Sequence, residues 1–156
     1  MFDYPRGACL LAMTLLLAGC YMGDPEGSPV GIVSIDGRVA AVVPPCGDEY
    51  VEELSVEEDA FDDDGAPRPT SRLLWSVAGP KQPSGPFVVG DAALWKSETV
   101  PLTEALPAIF VLSITTTRRM AVSGVSQSAV AGLTQDQVLI DGAVASLSAL
   151  AEKWEC

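Results

Sequence analysis

The sequence has 156 residues, of which 48% are hydrophobic, and its 9 basic and 21 acidic residues give a formal net charge of −12. This length predicts one folded domain once a removable leader is set aside, and the hydrophobic content is too high for a chain disordered by composition. The acidic balance argues against nucleic acid and bare anionic lipid as partners, because a polyanion would be repelled. There is no histidine, so the sequence lacks the commonest metal ligand and the usual base near neutral pH.

An apolar segment lies near the N-terminus. Residues 8–18 read ACLLAMTLLLA, a run too short to span the ~30 Å hydrocarbon core of a bilayer. Its length is typical of the apolar region of a signal peptide. The alternative is a buried core helix that leaves Cys20 as an ordinary thiol, but the Pro/Gly-rich sequence that follows argues against it.

The apolar segment ends in Leu17-Ala18-Gly19-Cys20. This tetrapeptide resembles the lipobox of bacterial lipoproteins. The resemblance implies that residues 1–19 are a signal peptide, that the bond between Gly19 and Cys20 is cut, and that Cys20 carries a diacylglyceryl group and often a further acyl group such as palmitate on its new amine. It therefore implies a protein held by lipid on the extracytoplasmic face of the cell membrane.

The residue usage adds a weaker likeness. Six Arg against three Lys, with abundant Ala, Gly, Val and Pro, is similar to the usage of small lipoproteins of high-GC Gram-positive bacteria. This likeness implies no activity.

After Cys20, residues 20–29 predict a lipidated N-terminus and a flexible tether, because YMGDPEGSP has no apolar periodicity. A first edge strand is the alternative. Nine residues reach at most about 30 Å when extended, so the domain stays near the membrane. We expect residues 30–156 to form a single extracytoplasmic domain.

The domain begins with a predicted β-hairpin. Residues 30–35 and 38–43 are rich in β-branched side chains and are separated by Asp36-Gly37, a pair that suits a type I′ turn. Further strands are predicted at residues 50–56, 72–77, 87–89, 108–117, 120–122, 127–131 and 138–140, with the rest of the Pro/Gly-rich residues 78–97 as loop.

Two patterns decide the fold class. Phe110, Leu112 and Ile114 alternate along one face of the strongest strand, which we predict to face the core. At the C-terminus, Leu147, Leu150, Ala151 and Trp154 recur at helical spacing, with Ser146 as a cap. The sequence therefore predicts a mainly β domain, a small antiparallel β-sandwich or barrel, with a short C-terminal helix.

Residues 48–64 contain ten carboxylates and no basic residue. Oxygen ligands suit calcium, but in the EF-hand register Ala60 and Ser71 fall at the first and twelfth positions, where neither can coordinate as required. We predict a solvated, partly mobile acidic loop and no bound metal.

Two cysteines remain when the leader is removed and Cys20 is lipidated. Thiols outside the cytoplasm are oxidised, so we predict a structural disulfide between Cys46 and Cys156.

Candidate chemistry is sparse. Without histidine the chain cannot form a Ser-His-Asp catalytic triad or a Cys-His dyad. Trp75, Trp95 and Tyr50 form either core or an aromatic platform for sugar or peptide, and their number favours core. The pair Arg118-Arg119 is interpreted as outward charge at a strand end.

These observations favour a membrane-anchored, non-catalytic binding or structural module without cofactor, whose ligand and envelope partner the sequence does not identify. One alternative is an enzyme that acts on cell-envelope glycan with carboxylates alone, since glycoside hydrolysis needs only two such groups. The other is a ligand-capturing component of an envelope system.

Overall fold

The computed structural model describes residues 30–44, 46–61, 64–81 and 85–154. The strands and helices of these residues are β1 (Gly31–Ile35), β2 (Arg38–Val42), β3 (Val51–Glu58), β4 (Leu73–Pro80), β5 (Phe87–Val88), a 3-10 turn (Ala92–Leu94), β6 (Trp95–Val100), β7 (Ile109–Thr116), β8 (Met120–Ser126), α1 (Gln127–Ala131), β9 (Gln137–Ile140), β10 (Ala143–Ser146) and α2 (Leu147–Lys153).

The strands form two five-stranded sheets. The first sheet has the order β10-β9-β1-β2-β5 and the second has the order β6-β4-β3-β7-β8. Neighbouring strands are antiparallel in both sheets. The two sheets pack together as a small β-sandwich with a short C-terminal helix, which confirms the predicted fold class.

The main core lies between the sheets. Phe110, Leu112 and Ile114 alternate along β7 and are all 0% exposed, which confirms the face predicted from their spacing. They belong to one cluster with Ile32 of the first sheet and Trp75 of the second. Full burial of a large apolar side chain stabilises a fold by about 1.5–3 kcal/mol, so this cluster is the main source of stability.

A second, smaller core covers the other face of the first sheet. Val33, Ala40, Val138 and Ile140 pack there with Leu150 of α2. The side chain of Leu150 lies so close to the backbone of Gly31 that a Cβ atom at this position would be 2.3 Å from Leu150 Cδ2. The first sheet is therefore buried on both of its faces over part of its area.

Tight turns follow the predicted chemistry. Asp36 and Gly37 have φ values of 51° and 76°, as the type I′ turn between β1 and β2 requires. Asp141 and Gly142 repeat this geometry, with φ values of 52° and 78°, between β9 and β10. The cap of α2 is also confirmed, since Ser146 Oγ accepts a hydrogen bond from Ala149 N at 3.4 Å.

Two local predictions were wrong, and a third strand was predicted too short. Residues 127–131, predicted as a strand, form α1, where the Gln127 side chain donates to the carbonyls of Leu106 and Pro107 at 2.8 Å. The segment predicted as loop, residues 78–97, ends inside strand β6 (Trp95–Val100), and the strand predicted at residues 120–122 is confirmed but extends as β8 to Ser126.

The acidic stretch is not a continuous loop. Its central part is strand β3, which reaches Glu58 and places Glu52, Glu53, Glu57 and Glu58 in the second sheet. The strand predicted at residues 50–56 is thus confirmed for Glu52 and Glu53, and the prediction of an acidic loop is wrong for Glu57 and Glu58. Pairing with β4 and β7 on both sides fixes the backbone of this part of the stretch.

The leader, Cys20, the tether and Cys156 lie outside the described residues. Within the described part of the chain, the helices are too short or too polar to cross a membrane.

Leu150 and Leu147 provide a matched test of the second core. Leu150 is 1% exposed and Leu147, one turn earlier, is 43% exposed. We expect Leu150→Ala to lower the free energy of unfolding by about 2–5 kcal/mol, because it leaves a cavity over the first sheet. Leu147→Ala should change it by less than about 1 kcal/mol. Equal losses for both variants in urea unfolding would contradict the assigned packing of α2.

Candidate binding groove and buried ion pair

A groove of about 590 Å³ lies on the face of the first sheet that is turned away from the second sheet. Val33 and Ile35 alternate along β1, and Val42 of β2 pairs with Gly31, so the three side chains share this face. The groove is lined by these three residues and by Ser34, Asp36, Pro86, Leu133, Gln135 and Leu147. Most of its lining is therefore apolar.

The groove exists because α2 covers only part of this face. Leu150 packs over Gly31 and Val138. Leu147, the first residue of α2, lines the groove and is 43% exposed. The apolar side chains Ile35 and Val42, which the helix leaves half-buried, are thus available to a ligand.

The described lining of the groove combines apolar side chains with few charged ones. Among the described residues that line it, Asp36 is the single carboxylate and there is no lysine or arginine. The backbone of Asp36 is held in the type I′ turn. An apolar group placed in the groove would be stabilised by about 25 cal/mol for each Å² of apolar surface that leaves water.

A second cavity of about 490 Å³ lies against the second sheet, lined by Tyr50, Val51, Glu52, Gly79, Pro80, Lys81 and Lys96. Its polar groups are already engaged in part, since Lys81 Nζ donates to the carbonyl of Ala93 at 2.7 Å. Like the groove, it has one carboxylate among the described residues of its lining. In the part of the chain that the structure describes, neither cavity presents the two facing carboxylates that a glycosidase would use.

A buried ion pair joins three segments at one end of the sandwich. The side chain of Glu49 is 2% exposed, and its Oε1 accepts from Arg119 Nε at 3.0 Å and from Thr116 Oγ1 at 2.5 Å. Arg119 Nη1 also donates to the carbonyl of Trp154 at 2.8 Å, and its guanidinium lies 5.2 Å from the Trp154 ring centroid. The Arg119 side chain thus links the β7–β8 turn to the residue after α2.

The interpretation of Arg118-Arg119 as outward charge is half wrong. The Arg118 side chain is 54% exposed and pairs with Asp48. The Arg119 side chain is 25% exposed, because a buried carboxylate and a carbonyl oxygen draw it inward. Its two partners are far away in sequence, so no local pattern could have identified them.

The same network joins the turn that carries Cys46 to Trp154. Cys46 is 4% exposed, and its carbonyl accepts from Glu49 N at 2.8 Å in a tight turn. Glu49 binds Arg119, and Arg119 binds Trp154, which precedes Cys156 by two residues. Trp154 is therefore held near the turn that carries Cys46.

The tryptophans are core residues. Trp75 and Trp95 are 0% and 3% exposed, which confirms the core interpretation over the aromatic platform. Trp95 packs on Phe87 with ring centroids 5.0 Å apart, and Trp75 Nε1 donates to Glu98 Oε1 at 2.9 Å. Tyr50, in contrast, is 52% exposed.

Part of the acidic stretch is neutralised by arginine. Hydrogen bonds from the Arg72 side chain hold the pKa of Glu58 below its ordinary value, and those to Glu104 and Glu58 raise the pKa of Arg72. In the part of the chain that the structure describes, no group of three or more cysteine or acidic side chains is arranged to hold a metal ion.

Comparisons with protein-family models, with curated proteins and with solved structures find no match. The function is therefore argued from the N-terminal motif and from the geometry of the described residues.

Arg119→Met tests the buried ion pair. It leaves the Glu49 carboxylate buried without its counter-charge, so we expect the free energy of unfolding to fall by about 3 kcal/mol. Arg118→Met, at the neighbouring exposed position, should cost less than about 1 kcal/mol. Adding Glu49→Gln to Arg119→Met should restore part of the loss. A double variant no more stable than Arg119→Met alone would contradict the coupling.

Proposed function

We propose that the protein is a lipoprotein anchored to the extracytoplasmic face of the cell membrane through acyl groups on Cys20, and that its β-sandwich is a non-catalytic module that binds a ligand in the groove. The observation that carries the proposal is the sequence Leu17-Ala18-Gly19-Cys20 at the end of a short apolar run. The position of the sandwich supports it, because Val30 is already 0% exposed and β1 begins at Gly31.

The anchor accounts for membrane attachment without a spanning helix. Each buried methylene contributes about 0.8 kcal/mol, and one acyl chain alone binds only marginally, so two or three chains hold the protein stably. Electrostatic attraction to an anionic lipid surface would not replace them, since the net charge is −12. Residues 20–29 keep the sandwich within about 30 Å of the bilayer.

The groove supports a binding role for the sandwich. It is concave, mostly apolar and built on the strands of a sheet that is buried on both faces. Pockets of this kind, with a few polar groups at their margin, are the usual form of small-ligand sites. Each of the two cavities holds one carboxylate among its described lining residues, so these residues give the carboxylate-only enzyme no support.

We also infer a disulfide between Cys46 and Cys156. The contacts from Glu49 through Arg119 to Trp154 support it, because they hold the segment before Cys156 against the turn after Cys46. An exported protein encounters an oxidising environment, in which such a pair forms and persists. The bond would fix the chain end that follows α2.

The anchor is tested by Cys20→Ser. Without its thiol the chain cannot accept the diacylglyceryl group, so we expect unprocessed precursor that retains residues 1–19 and takes up no radiolabelled palmitate. Cys9→Ser is the matched control, since Cys9 lies in the leader and its loss should leave processing and labelling unchanged. Normal labelling of Cys20→Ser would refute the assignment.

The disulfide is tested by thiol assay and by stability. We expect no reactive thiol in the native folded protein. Cys156→Ser should lower the free energy of unfolding by up to about 4–5 kcal/mol, the loop-closure estimate for a cross-link of this span. Cys46→Ser should give at least the same loss, because Cys46 is 4% exposed in the main core, and the double variant should lose no more than Cys46→Ser alone. Two reactive thiols in the native protein would rule out the bond.

A further inference from the structure

We propose that the groove on the first sheet binds the acyl chain of a single-chain amphiphile, such as a lysolipid, whose head group is not a bare anion. The inference deepens the proposed function and rests on it for the supply of the ligand, because the lipid anchor keeps the groove close to the bilayer.

The lining selects an apolar ligand. The side chains of Val33, Ile35 and Val42 share one sheet face in the groove, and Leu133 and Leu147 line it as well. A polar ligand would remove these side chains from water without forming hydrogen bonds in return. Acyl chains suit such a surface because the hydrophobic effect scales with the apolar area that is covered.

The size and shape of the groove favour one small chain. Its volume of about 590 Å³ lies in the range of about 300–1,000 Å³ that is usual for small-molecule pockets. Two polar residues of the lining, Asp36 and Gln135, are exposed, so the margin of the groove stays in contact with water. An amphiphile can therefore place its chain on the apolar lining while its head group stays in water.

The charge of the lining restricts the head group. The described residues of the groove include the Asp36 carboxylate and no lysine or arginine, in a protein of net charge −12. A bare anionic head, such as the carboxylate of a fatty acid, would be repelled at this margin. A zwitterionic or uncharged head group avoids that repulsion.

The predicted tether explains why a single-chain lipid reaches the groove. One acyl chain binds a bilayer only marginally, with an association constant of about 10⁴ M⁻¹, so monoacyl lipids leave the bilayer and pass through water. Lipids with two chains remain in the membrane. A tether that holds the start of the sandwich within about 30 Å of the surface lets the groove meet the exchanging lipid at high local concentration.

The test uses the mature protein purified from its native membrane and reconstituted in phosphatidylcholine vesicles. The probe is monopalmitoyl lysophosphatidylcholine with a diazirine at the end of its chain. After irradiation and digestion, we expect cross-linked peptides from residues 33–42 and 133–147. Because the acyl chains on Cys20 carry no diazirine, cross-links report only the added lipid.

Leu147→Glu is the blocking variant. A carboxylate in the groove lining should lower the cross-linking yield by about tenfold, since the probe would have to desolvate it. Glutamate in the first turn of α2 is favoured by the helix dipole, so the fold should persist, as thermal unfolding would verify. Leu147→Met keeps the lining apolar. Val122→Glu makes the same charge change at a 50% exposed residue of β8, in the other sheet. Both controls should cross-link as the wild type does.

The inference is overturned if cross-links spread over the surface without enrichment in the groove, or if Leu147→Glu binds as the wild type does. It is also overturned if the groove gives no cross-link, as when a chain on Cys20 already fills it. Intact mass reports the acylation of Cys20 separately. Groove cross-links on a protein without acyl groups would therefore refute the anchor and leave the groove as a lipid site.

Discussion

The buried ion pair between Glu49 and Arg119 is the contact that joins three segments at one end of the sandwich: the β2–β3 connection, the β7–β8 turn and the residue after α2. Glu49 lies in the connection that carries the chain from the first sheet to the second, and Arg119 lies in the turn between β7 and β8. A carboxylate that is 2% exposed is costly to bury alone, and breaking such a pair costs more than the pair contributes. Because Arg119 also binds the Trp154 carbonyl, the same side chain fixes the chain after α2.

The contact between Arg119 and the Trp154 carbonyl helps to position α2. The position of α2 in turn determines how much of the first sheet's outer face is covered. At one end of the helix, Trp154 is 0% exposed and belongs to the main core. One turn earlier, Leu150 packs on the opposite face of the first sheet, over Gly31. Leu147 then lies at the margin of the covered area and lines the groove. The groove is thus the part of the sheet that the helix does not reach.

Local sequence signals predicted much of the fold. Asp36-Gly37 specifies a turn with two positive φ values, and the alternation of Phe110, Leu112 and Ile114 specifies a strand with one buried face. The elements that were missed have weaker signals. Strand β6 reads WKSETV, and its residues after Trp95 are mostly exposed at the edge of the sheet, so it has almost no apolar alternation.

The remaining errors have non-local causes. Residues 127–131 contain a valine that suits a strand, but the backbone becomes helical where Gln127 binds the carbonyls of Leu106 and Pro107. Arg119 is separated from Glu49 by 70 residues, so its inward orientation depends on the assembled sandwich. The groove depends likewise on where α2 comes to rest. No pattern within α2 itself indicates that Leu147 lines a cavity while Leu150 closes a core.

The most direct test is the intact mass of the protein purified from its native membrane. The account requires a chain that begins at Cys20, carries the mass of two or three acyl groups with the glyceryl unit, and lacks the two hydrogens lost when Cys46 and Cys156 are joined. A chain that still contains residues 1–19, without acyl mass and with its thiols reduced, would contradict the membrane attachment and the disulfide together.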